Sequence, residues 1–104
     1  LHATVGNYEK SIADYTNYLR ILPASPDIYY GRGMTYYQLK RFGEATDDFS
    51  KAISYDSLNA NYWVLKAMSL QADGKKEEAI PIALKAQNLG ETLDPAFKQN
   101  LGIK

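Results

Sequence analysis

The residues in this chain able to do acid–base, metal or phosphate chemistry are few and poorly spaced for it. His2 is the single histidine and cysteine is absent. Thiolate catalysis, zinc–thiolate sites and disulfides are therefore excluded. A nucleophile–base pair would have to join a serine to His2, and no spacing suggests one. Asp47-Asp48 and Glu77-Glu78 are paired carboxylates, but neighbours on a helix point about 100° apart and do not converge. Glu77 and Glu78 suit the positive end of a helix dipole instead. Gly31-Arg32-Gly33 superficially offers a phosphate cradle. Such a loop follows a strand and opens a helix, whereas these glycines lie inside a helical pattern. Lys40-Arg41 and Lys75-Lys76 fall in turns, without interleaved aromatics that would mark a nucleic-acid surface. No catalytic residue, metal ligand or cofactor is predicted.

The totals agree. The 104 residues suit a single domain, and twelve basic side chains balance twelve acidic ones. A neutral balance argues against a general nucleic-acid or polybasic membrane binder. No apolar run approaches the roughly 20 residues of a membrane helix. Nine tyrosines are the unusual count. Tyrosine combines a large apolar body with a polar tip and suits half-buried and contact positions.

The elements that would hold these residues repeat. Shifted by the interval from Tyr29 to Trp63, the chain matches itself: Gly33 then meets Ala67, Ala45 meets Ala79 and Ala52 meets Ala86. In the other direction Tyr8 meets Phe42, Ser11 meets Ala45 and Tyr15 meets Phe49. Each unit reads as two helices. Ser25-Pro26-Asp27 carries an N-cap, a first-turn proline and a dipole-favoured acid, opening a helix to about Leu39. Lys40 to Gly43 read as a turn, and a second helix follows to about Tyr55. Asn59 caps the next first helix, which reaches about Ala72. Asp73-Gly74 is a turn signal, and the last long helix runs from about Lys75 to Leu89 with Pro81 bending it. Tyr29, Gly33 and Tyr36 share one face. Gly33 costs about 1 kcal/mol against alanine in a helix, and the predicted compensation is close approach of the paired helix.

Period, paired helices and the order of small and large residues resemble the tetratricopeptide repeat family. One copy is Tyr29, Gly33, Tyr36, Ala45, Phe49 and Ala52; a second is Trp63, Ala67, Leu70, Ala79, Ala83 and Ala86. Ser57 and Glu91 replace the customary proline. The resemblance implies an all-α fold, a right-handed α-solenoid of antiparallel helix pairs. It divides the chain into a second half-repeat (6–25), full repeats at 26–59 and 60–93, and a partial repeat or capping helix at 94–104. The half-repeat start leaves Ile12, Tyr15 and Leu19 as an expected exposed face. That face suggests either a piece excised from a longer array, with Leu1 to Val5 ending a preceding helix, or a homo-oligomer through the N-terminal helix.

The resemblance further implies a concave groove lined by Asp27, Tyr30, Met34, Tyr37, Asn61, Val64, Met68 and Gln71. Relatives that grip acidic chaperone tails place lysine, arginine and asparagine along it, whereas here Tyr30, Met34, Val64 and Met68 stand there. The expectation is a non-enzymatic interaction module for an apolar or aromatic peptide or helix, rather than an acidic tail. The alternative is a structural segment of a longer array.

Overall fold

A computed structural model describes residues 5–103, which form six helices. His2 and, of the expected turn at Leu1 to Val5, residues 1–4 lie outside the described residues; Val5 instead begins α1 (Val5–Ile21). The others are α2 (Pro26–Gln38), α3 (Phe42–Tyr55), α4 (Ala60–Ala72), α5 (Lys76–Asn88) and α6 (Pro95–Leu101). α2 packs on α3 and α4 on α5, while α1 against α2 and α3 against α4 join successive pairs. The outcome is a right-handed solenoid of antiparallel helix pairs, elongated to 41 × 27 × 23 Å.

The ends of the helices follow local chemistry. Asn59 Oδ1 accepts from the Asn61 amide at 3.1 Å, and Asp94 Oδ2 accepts from the Phe97 amide at 3.2 Å. Ser25 behaves otherwise than its type suggests. Its side chain makes no cap bond, and its carbonyl accepts from the Ile28 and Tyr29 amides. The turn after α2 is shorter than expected, since α3 begins at Phe42. α2 and α4 stop alike: Arg41 N–H donates to Tyr36 O and Lys75 N–H to Leu70 O. This closure needs a left-handed residue just before it. Gly74 supplies one at φ 79°, and Lys40, its counterpart in the preceding repeat, is forced into the same region at φ 60°. Pro81 remains inside α5, as expected.

The core sits between the helices of each pair and between pairs. Ala45, Phe49 and Ala52 of α3 are fully buried, as are Ala67, Ala79, Ala83 and Ala86 further on. Gly33 lies on Phe49: a Cβ there would stand 2.9 Å from Phe49 Cε1 and 3.1 Å from Asp48 Cβ. Close approach thus explains the glycine, with Phe49 and Asp48 as the neighbours. Gly31 serves a different contact, since its Cβ would meet the Tyr15 ring of α1 at 2.9 Å. The two glycines of Gly31-Arg32-Gly33 therefore admit helices on two sides of α2. Arg32 between them donates to Asp48 of α3 and to Thr16 Oγ1 of α1.

The expected exposed face of α1 needs correction. Ile12 and Leu19 are buried, and Tyr15 is half-buried over Gly31. The counterparts of Ile12 and Leu19 in the next repeat show why. Thr46 and Ile53 belong to the side turned to the following pair, where Ile53 clusters with Tyr62 of α4. Among the described residues, the large apolar side chains exposed at this end are Tyr18, Ile21 and Leu22.

Candidate functional site

Each first helix presents side chains on its packing face and on the face beside it. The residues expected in the groove occupy the second. Tyr30, Met34 and Tyr37 of α2 and Met68 of α4 are half-buried and rest on one cluster of Ala45, Phe49 and Leu65. Val64 is half-buried against the neighbouring cluster of Ala67, Leu70 and Ala79. Asp27 and Asn61 stand exposed in the first turns of α2 and α4, and Gln71 is half-buried in the last turn of α4. Four members of the row thus share one apolar floor.

The row beside the packing face is not spare. Tyr30 lies 5.5 Å from the Tyr62 ring and 6.4 Å from Phe49, so it packs the junction of three helices while part of it faces solvent. The Tyr37 ring meets Phe42 edge-on at 5.2 Å. Such rings combine floor and contact surface because only one face needs burial.

Two residues that position the row were missed by the reading of the sequence. Tyr62 and Leu65 are buried, at 4% and 9% exposure, facing α3. The signal was present as Tyr62, Leu65 and Ser69 at i, i+3, i+7. The adjacent Trp63–Ala67–Leu70 stripe masked it. The Tyr62 hydroxyl donates to Asp27 Oδ1 at 3.4 Å and so links the start of α4 to the start of α2. Burial raises the Tyr62 phenol above its ordinary value, and the Asp27 carboxylate adds to the effect.

The row carries one charge, Asp27, and otherwise Tyr, Met, Val, Asn and Gln. Two clefts lie away from it. One, of about 470 Å³, is walled by Thr46, Lys66, Lys75, Glu78 and Pro81. The other, of about 560 Å³, is walled by Tyr29, Arg32, Asp48 and Lys51. Both mix acids with bases. Among the described residues, no three histidine, cysteine or carboxylate side chains group as metal ligands, and no helix is long and apolar enough to cross a membrane.

Comparison with known proteins agrees with this architecture. Residues 26–57 match the model of the tetratricopeptide repeat family. The chain is 28% identical over 95 residues to small glutamine-rich tetratricopeptide repeat-containing protein 2 of Saccharomyces cerevisiae, covering 90% of this chain and 28% of that protein's length. It superposes on MamA (MSR-1) with a TM-score of 0.76 at 26% identity, covering 82% of this chain and 49% of MamA. It also superposes on the first TPR of Spaghetti (RPAP3), bound to the HSP90 peptide SRMEEVD, with a TM-score of 0.81 at 23% identity. That match covers 93% of this chain and 76% of the other. Sequence register, helix pairing and these matches agree: residues 26–57 match one tetratricopeptide repeat, and the chain as a whole has the fold of the tetratricopeptide-repeat solenoids it resembles.

Proposed function

We propose that this chain is a non-enzymatic interaction module. Its groove, lined by Asp27, Tyr30, Met34, Tyr37, Asn61, Val64, Met68 and Gln71, takes an apolar or aromatic segment of a partner protein. The observation that supports this is the half-exposed row of Tyr30, Met34, Tyr37, Val64 and Met68, which is free of charge. Tyrosine and methionine offer large, adaptable apolar contact. The peptide held by the RPAP3 repeat carries two glutamates and an aspartate. Cations are the natural complement of such a peptide, and this row has none.

The test is selection from random 12-residue peptides displayed on phage. Peptides rich in Phe, Trp, Leu and Met are expected. Replacing Met34 and Met68 together by glutamine keeps side-chain length but adds polarity, and should weaken the selected peptides about tenfold or more. Equal binding by that variant, or a pool dominated by acidic tails, would overturn the reading.

A second reading is supported by the exposed end of α1. Tyr18 is 55% and Ile21 77% exposed, an apolar surface suited to stacking on further repeats or on another copy. Light scattering across a concentration range separates self-association from peptide capture.

A further inference from the structure

The groove has chemistry at one end that an apolar ligand alone would leave unused. Asp27 is exposed at the start of α2. Its carboxylate oxygen accepts from the buried Tyr62 hydroxyl at 3.4 Å, and the Tyr62 ring lies 5.5 Å from Tyr30. The charge is thereby held beside the first aromatic of the row. Lys98, one repeat beyond Val64, belongs to a separate cleft with Leu93, Pro95 and Ile103.

Resting on the reading of the groove given above, we infer that the partner segment carries a lysine or arginine next to its apolar residues. That cation seats on Asp27 against the Tyr30 ring, and Tyr62 is the positioning residue. The inference follows from charge complementarity. A ligand carboxylate at this point would face a like charge with no cation in the row, whereas a ligand cation meets a carboxylate and an aromatic face together. A methionine- and tyrosine-lined floor tolerates many apolar side chains, so the charge at its end supplies direction and selectivity.

The probe is the same phage library of random 12-residue peptides, sequenced before and after selection on the whole chain. Basic residues should be enriched next to the apolar ones, and acidic residues depleted. The best such peptide, with its basic residue replaced by glutamine, should lose about three- to tenfold in affinity for the wild type and nothing for Asp27→Asn. Tyr62→Phe should lower this discrimination while preserving binding of the glutamine peptide, which separates positioning from damage to the fold. Enrichment of apolar residues with no basic preference, or unchanged discrimination in Asp27→Asn, overturns the inference and leaves the groove reading standing. Absence of any peptide sensitive to the Met34 and Met68 replacements overturns both.

Discussion

Arg32 and Asp48 meet through two bonds, Nε to Oδ2 at 2.8 Å and Nη2 to Oδ1 at 2.7 Å, and so tie α2 to α3. The Asp48 side chain is 4% exposed and the Arg32 side chain 19%. The guanidinium also lies 5.7 Å from the Tyr29 ring centre and 5.9 Å from that of Tyr36. A charge this deep is tolerable because it is paired in two places. One repeat on, the matching positions hold Lys66 and Ile82, so the second pair of helices does without the bridge.

Removing one partner should therefore cost far more than removing both. Arg32→Leu leaves Asp48 buried without its cation, at about 3–5 kcal/mol. Arg32→Leu with Asp48→Ile replaces the pair by apolar volume and should recover most of that loss. Urea unfolding of the single and double variants measures the coupling. Additive losses would show that the bridge is incidental.

The same pair sets a pH dependence. Burial raises the Asp48 carboxyl above its ordinary value, more than the Arg32 bonds lower it. The folded chain then binds this proton more tightly than the unfolded chain, whose aspartates titrate near about 3.9. The contribution is full below the unfolded value and is lost as pH rises through the folded one. The stability of wild type relative to Asp48→Asn should thus be greatest in acid and fall toward neutrality. Denaturation of both proteins across that range checks the sign.

Gly33→Ala and Gly31→Ala should part company, although both alanines are favoured over glycine in a helix by about 1 kcal/mol. At Gly33 the new methyl meets fully buried Phe49 and the Asp48 Cβ, which have nowhere to go, so a net loss of about 1–3 kcal/mol is expected. At Gly31 it meets the far end of the half-buried Tyr15 ring, which can swing aside. The expected change there is within about 0.5 kcal/mol. Thermal melts of the two variants decide it.

Lys40→Gly should stabilise the chain by about 0.5–1 kcal/mol, because it removes a left-handed penalty at φ 60° that glycine does not carry. The reverse change, Gly74→Lys, should cost a similar amount. A rise in the urea midpoint for the first and a fall for the second are the readouts.

These contacts also show what the sequence makes legible. Residues that recur at the repeat interval declare helices and packing faces: Ala45 with Ala79, and Ala52 with Ala86, are buried in both pairs. Contacts between pairs are harder to read. Ile12, Leu19, Tyr62 and Leu65 serve those junctions, and their burial depends on the angle at which one pair meets the next. The Arg32–Asp48 bridge has no counterpart in the following repeat, so periodicity carries no trace of it. That Tyr30, Met34, Tyr37 and Met68 lie together on one side of the first helices was legible. The double duty of this row was not, because resting on Phe49 and Leu65 is a property of three helices together.

That double duty has a measurable consequence. Tyr30→Ala with Met34→Ala strips two half-buried side chains from the Phe49 and Leu65 cluster. It should lower stability by about 2–4 kcal/mol, in contrast to a pair of spare surface residues. Met34→Gln keeps the volume and should cost less. Denaturant unfolding of the two proteins makes the comparison.

The groove assignment is tested most directly by amide chemical-shift mapping of the labelled chain, titrated with the tightest peptide from the phage selection. Shifts concentrated at Tyr30, Met34, Tyr37, Val64 and Met68, with Asp27 at their edge, are the predicted result. Shifts centred on Lys66, Glu78 and Ile82, or on the exposed end of α1 at Tyr18 and Ile21, would contradict it.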